Sequence, residues 1–224
     1  MHPNKLLRFA NMFHSLATSE ELPADSKELK TVLSNLAKLE TYNARKQYAE
    51  KNLTHLSSGS SRIVYLTPGK TIVKVAKNDK GIAQNKAEAN PEMKSKFLNE
   101  ILGHATNYAW IETCYLDKIT TKQFEEMTGI PFSDFDEAIR FGLKNVSDNK
   151  DLTKPKNFDR VSDSEVYKEM KRVGERFKLM PGDIARISSW GTKDDRPILI
   201  DAGLTAQVFA DFYEDDSSNS SSTT

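Results

Sequence analysis

One acidic residue constrains this chain more than any other. Asp201 ends the apolar run Ile198-Leu199-Ile200 and precedes Ala202-Gly203. A carboxylate at the end of a buried strand is costly unless it meets a cation or closes a turn. A second acid, Asp183, follows Gly182 in the same segment, GDIARISSWGTKDDRPILIDAGLT, residues 182–205. One carboxylate on a tight loop and another at a strand end can converge on a single Mg²⁺–phosphate site, the pairing that phosphoryl transfer uses. The plain alternative is a β-hairpin with two turn aspartates, because short motifs recur by chance.

A second segment adds the complementary charge. In LSSGSSRIVYLTPGKTIVKVAKNDKGIAQNKAE, residues 56–88, Gly59 lies among small residues. RIVYL has strand character, Pro68-Gly69 signals a turn, and KTIVKVAK alternates as the returning strand. Lys74 sits mid-strand, and GIAQNKAEA reads as a helix carrying Glu88. A strand lysine can bind phosphate oxygens while a helix glutamate holds it in place. Lys77 competes with Lys74 for that place, and Glu100 competes with Glu88.

The order is small-residue loop, hairpin, strand lysine, helix glutamate, middle segment, Gly-Asp loop, then a strand ending in Asp-x-Gly. Over residues 56–205 it resembles the protein-kinase-like superfamily, specifically its small-molecule kinase branch of aminoglycoside phosphotransferase-like proteins. That branch carries a loop of the type HGDxHxxN and a strand end of the type IDxG; here they read PGDIARISS and IDAG. The chain also resembles small kinase-like proteins of tailed bacteriophages through GSSRIVY, KVAKNDKGIAQN and SWG.

The resemblance implies an α+β, two-lobed kinase-like fold with a reduced C-terminal lobe, and ATP with Mg²⁺ as ligands. It implies backbone N–H groups of Gly59, Ser60 and Ser61 at the phosphates, Lys74 on phosphate oxygens with Glu88 behind it, and Asp183 facing an acceptor hydroxyl. Asp201 would hold the metal. The family's second metal ligand is an asparagine about five residues beyond the loop aspartate, where this chain has Ser188 and Ser189. Ser189 is the candidate replacement. Pro181 stands where a histidine is usual, one loop glycine replaces three, and few residues follow Asp201. The usual lower-lobe helices do not fit in that remainder.

Composition narrows the partners. Lys+Arg and Asp+Glu both number 32, a formal net charge of +0, so nothing calls for nucleic acid or an anionic membrane. The single cysteine, Cys114, excludes an internal disulfide and reads as a core thiol on a strand. The four histidines have no zinc-ligand spacing, and no apolar run spans a membrane. The N-terminus is too polar for a signal peptide. Cytoplasm is the default location, host cytoplasm or virion if the phage resemblance holds.

Four regions follow: a helical extension over 1–50, an N-lobe over 51–119, a reduced C-lobe over 120–212 and a disordered Ser-rich tail over 213–224. Helices are expected over 4–17, docking on the domain in preference to a partner, and over 27–50, where Leu29, Val32, Leu33, Leu36 and Leu39 recur at helical spacing. Asp25 or Ser26 would cap the second of these. Residues 108–116 read as a strand leading to the hinge that meets an adenine edge. Thr120 or Thr121, and Ser133 or Asp134, are candidate caps of two lower helices, and residues 163–177 form a third. Two functions stay open: an ATP-dependent phosphotransferase of unknown acceptor, and a catalytically inactive kinase-like binding or assembly protein. A purely structural α+β domain is the third.

Overall fold

The computed structural model describes residues 26–147 and 151–218. The helix expected over 4–17 and the capping residue before the next helix lie outside them.

Two helices open the described chain, α1 (Ser26–Lys38) and α2 (Tyr42–Asn52). The sequence reading made them one. They separate because Thr41 is extended and its hydroxyl accepts the Ala44 N–H, a helix start rather than a helix interior. Arg45 secures the break by donating to the carbonyls of Leu39 and Glu40 at 3.0 and 2.9 Å.

A five-stranded antiparallel sheet follows, in the order β1-β2-β3-β5-β4. Its strands are β1 (Thr54–Ser58), β2 (Arg62–Leu66), β3 (Thr71–Ala76), β4 (Ile101–His104) and β5 (Trp110–Cys114). β1 was not anticipated, since THLSS lacks clear alternation, and its pairing with β2 slips between His55 and Ser57. The β2–β3 turn falls at Pro68-Gly69 as expected, with Lys70 in the left-handed region at φ 56°. Ile63, Tyr65, Val73 and Val75 face Leu33, Leu36 and Ala49, so α1 and α2 brace the back of the sheet. Period-two alternation therefore turns Arg62, Val64 and Lys74 to the opposite face. Cys114 is only partly buried, not the core thiol expected.

Helix α3 (Asp79–Glu88) leaves β3 behind an Asn78 cap that accepts the Gly81 N–H. The connector after it docks on the second lobe: Leu199 N–H donates to Phe97 O at 2.8 Å, and Asn99 N–H donates to Leu199 O at 3.0 Å.

The second lobe holds a small sheet of β6 (Asp117–Lys118), β7 (Trp190–Lys193) and β8 (Arg196–Leu199). Its helices are α4 (Thr121–Thr128), α5 (Phe132–Gly142), α6 (Phe158–Ser162), α7 (Glu165–Phe177) and α8 (Pro181–Ile184). Thr120 caps α4 in a full capping box with Gln123. Neither Ser133 nor Asp134 caps α5, which starts at Phe132 after Pro131; Asp134 instead accepts from Asn157 and Arg160. Ser164 caps α7, which matches the helix expected over 163–177, and α6 precedes it as a separate short helix. Phe124, Phe135, Ile139, Leu143, Met170, Leu179, Ile184, Trp190 and Leu199 form the core of this lobe.

Helix α9 (Ala206–Ser218) closes the described chain and runs past the boundary expected at 212. It returns to the first lobe: Gln84 Nε2 on α3 donates to the Tyr213 hydroxyl at 3.1 Å, and the Lys80 ammonium lies 4.1 Å from the Tyr213 ring centroid. Mixed helices and antiparallel sheets in two lobes make an α+β fold, as the sequence led us to expect. No helix among the described residues is long and apolar enough to cross a membrane.

Candidate functional site

Four charged side chains meet between the lobes. Lys74 Nζ donates to Glu88 Oε1 at 2.5 Å and to the Ile200 carbonyl at 2.7 Å. Glu88 Oε2 accepts from Arg62 at 2.6 Å, and the other terminal nitrogen of Arg62 reaches Asp201 Oδ1 at 2.5 Å. Asn85 Oδ1 also accepts from Arg62, at 3.3 Å. The side chains of Arg62, Lys74 and Glu88 are 7, 8 and 5% exposed, whereas that of Asp201 is 44% exposed. Two cations of the first lobe thus bind the second lobe, one through the backbone of Ile200 and one through Asp201.

Each position has a local cause. Lys74 pairs across the sheet with Val64 and Ile111, on the face away from the apolar back. Arg62 lies two residues from Val64 on the same face. Glu88 is on the last turn of α3, and Asp201 follows β8. Lys74 is the lysine that meets Glu88, whereas the Lys77 ammonium holds the Gly59 carbonyl at 2.5 Å. Glu88 is the glutamate that meets Lys74, whereas Glu100 is exposed and lies 3.9 Å from Lys193.

The small-residue loop is bound up in its own structure. Gly59 N–H donates to Arg62 O at 2.9 Å, and Ser61 O accepts the Lys77 N–H at 2.8 Å. The Ser61 hydroxyl donates to Gln84 Oε1 at 2.6 Å. Gly59 and Ser60 are exposed at the loop tip, but the Gly59 N–H is not free for a phosphate.

Asp183 lies on α8, partly buried, with Arg186 3.7 Å away. Burial, and then the charge of Asp201, push its carboxyl above the ordinary 3.8, against the opposing pull of Arg186 and Arg62. For Asp201, burial pushes upward as well. The charges of Arg62 and Lys74, with hydrogen bonds from Arg62 and the Gly203 N–H, outweigh it and hold the carboxyl well below the usual range. Burial works against the charged guanidinium of Arg62; Asp201 and Glu88 overcome it and fix the positive charge.

These shifts set a stability test. A raised carboxyl makes the folded state bind its proton more tightly than the unfolded state does. Its contribution is present at low pH and is lost as pH rises from the ordinary value through the raised one. Asp183→Asn is therefore expected to melt higher than the parent at pH 7 and to flatten the decline in stability just above pH 3.8. A lower melting temperature for the variant at pH 7 would contradict this account.

Mg²⁺ would find few protein donors here. Among the described residues no three His, Cys, Asp or Glu side chains gather to hold a metal ion. One oxygen of Asp201 is already taken by Arg62. Ser189, the candidate second ligand, is buried, and its carbonyl accepts the Ile200 N–H at 2.8 Å; Ser188 is exposed. Arg62 is the residue that the sequence reading missed. Its signal was the alternation of RIVYL, which places Arg62 on the Lys74 face once Ile63 and Tyr65 are assigned to the core.

No family model matches the chain, and no curated protein matches it. Two solved structures are similar to it. One is the streptomycin–ATP ternary complex of APH(2'')-IIa, at 14% identity and TM-score 0.36, over 76% of this chain and 74% of that one. The other is the ADP-bound aminoglycoside phosphotransferase APH(2'')-Ib, at 14% identity and TM-score 0.37, over 75% and 73%. Likenesses this distant assign no role to any residue of this chain.

Proposed function

We propose that this chain is a kinase-like protein that binds a nucleoside triphosphate, ATP in the first instance, in the cleft between its lobes. The observation that carries this reading is the chain of contacts Ile200–Lys74–Glu88–Arg62–Asp201, which fixes two cations and two carboxylates between the lobes. Lys74 meets phosphate oxygens, with Glu88 holding its ammonium in place. Loop 59–61, held by Lys77 and Gln84, covers the phosphates, and the backbone after β5 meets the base. Asp183 stands at the acceptor side.

Binding without phosphoryl transfer is favoured over a phosphotransferase activity. The specific observation is the Arg62–Asp201 pair, which engages the carboxylate that a transfer reaction needs on a metal. Magnesium is therefore not part of this reading, and Ser189 has a packing role beneath the loop.

ATP at about 100 times its dissociation constant should stabilise the folded chain by roughly 2.7 kcal/mol. For a domain of this size that is a rise in melting temperature of roughly 5–11 °C. Differential scanning fluorimetry with ATP, in buffers with and without magnesium, measures it. No shift in either buffer would remove the proposal.

A further inference from the structure

We infer that Arg62 is the cleft's built-in counter-cation, taking the place at Asp201 that a divalent metal would otherwise hold, so that triphosphate binding is independent of divalent ions. This rests on the proposed nucleotide site and adds how that site balances its charge.

The geometry of Arg62 is that of a fixed component. Its guanidinium is buried and held by three acceptors: Glu88 Oε2 at 2.6 Å, Asp201 Oδ1 at 2.5 Å and Asn85 Oδ1 at 3.3 Å. Asn85 is oriented in turn, donating to the carbonyls of Tyr108 at 2.9 Å and Lys74 at 3.4 Å. A planar fork with several donors can satisfy Glu88 and Asp201 together, which a lysine ammonium on one flexible stem does less well.

Charge balance points the same way. Arg62 and Lys74 carry two positive charges, and Glu88 and Asp201 carry two negative ones. The cluster is therefore neutral without a divalent ion. A metal at such a carboxylate would do two things: hold phosphate oxygens and cancel the carboxylate's repulsion of them. Arg62 already does the second, and Lys74 supplies a cation for the first.

Isothermal titration of the full chain with ATP, in EDTA and in millimolar Mg²⁺, tests the inference. The expected result is the same affinity in both buffers. A metal bridging Asp201 and the phosphates would instead appear as a coupling of about 5–150-fold. A loss of that size in EDTA overturns the inference and leaves the nucleotide site standing. A second arm uses Mn²⁺ alone, followed by its electron paramagnetic resonance signal. The parent should not bind it, and Arg62→Met, which frees Asp201, should gain binding. If Arg62→Met does not fold, Arg62→Lys is substituted; it keeps the charge but not the double contact. Should ATP fail to bind in either buffer, the nucleotide reading falls, and Mn²⁺ decides the Arg62 assignment by itself. Mn²⁺ binding by the parent overturns it.

Discussion

Glu88→Ala is expected to lower the melting temperature by roughly 6–20 °C. Glu88 is the shared anion of two buried cations, Lys74 at 2.5 Å and Arg62 at 2.6 Å. Removing one partner of a buried ion pair costs about 3–5 kcal/mol, because the charge left behind stays out of water. A domain of this size loses about 2–4 °C per kcal/mol. Glu100→Ala is the control: its carboxylate is exposed and 3.9 Å from Lys193, so its loss should cost no more than about 0.5 kcal/mol. Thermal melting followed by circular dichroism reads both. Equal effects would mean that the buried cluster is not what fastens the lobes.

The second large effect is expected at Trp190. Its ring is fully buried, edge-on to Phe124 and Phe135 at 5.4 and 5.6 Å, and its indole N–H donates to Ile184 O at 2.8 Å. Trp190→Ala removes the largest side chain of that core, a change worth about 3–5 kcal/mol. Trp190→Phe keeps most of the packing and leaves the Ile184 carbonyl without its donor, a cost of about 1–3 kcal/mol. Because Ile184 follows Asp183, the Phe variant is the sharper probe of the site. It should loosen α8 and move amide exchange at Asp183 before it moves global stability. Hydrogen exchange on both variants checks the order; unchanged protection at α8 in Trp190→Phe would mean that the indole bond does not hold the loop.

Much of this architecture was legible in the sequence, and the pattern of misses has physical causes. Lys74 and Glu88 could be paired because strand alternation and helix position are local properties. The Thr120 cap was readable for the same reason. The break between α1 and α2 was missed because leucine periodicity from 29 to 39 suggests a helix that simply continues; Thr41 carried the contrary signal. Arg62 was missed because its importance depends on Asp201, 139 positions away, and no local pattern reports that contact. Helix α9 was missed in part because Tyr213 makes its recorded contacts with α3, in the other lobe. The hairpin that the plain reading expected does exist, but its turn acids are Asp194 and Asp195, both in the left-handed region, and not Asp183 and Asp201.

Two glycines fix how far α3 can travel. A methyl group on Gly81 would lie 2.2 Å from the Ser61 carbonyl oxygen, and one on Gly203 would lie 2.8 Å from the Gln84 carbonyl oxygen. Backbone therefore touches backbone on both sides of α3, with the small-residue loop on one and the segment after Asp201 on the other. The helix cannot swing outward to separate Glu88 from Lys74 without dragging both neighbours along. Moving α3 alone would break the close approaches to Ser61 and Gly203.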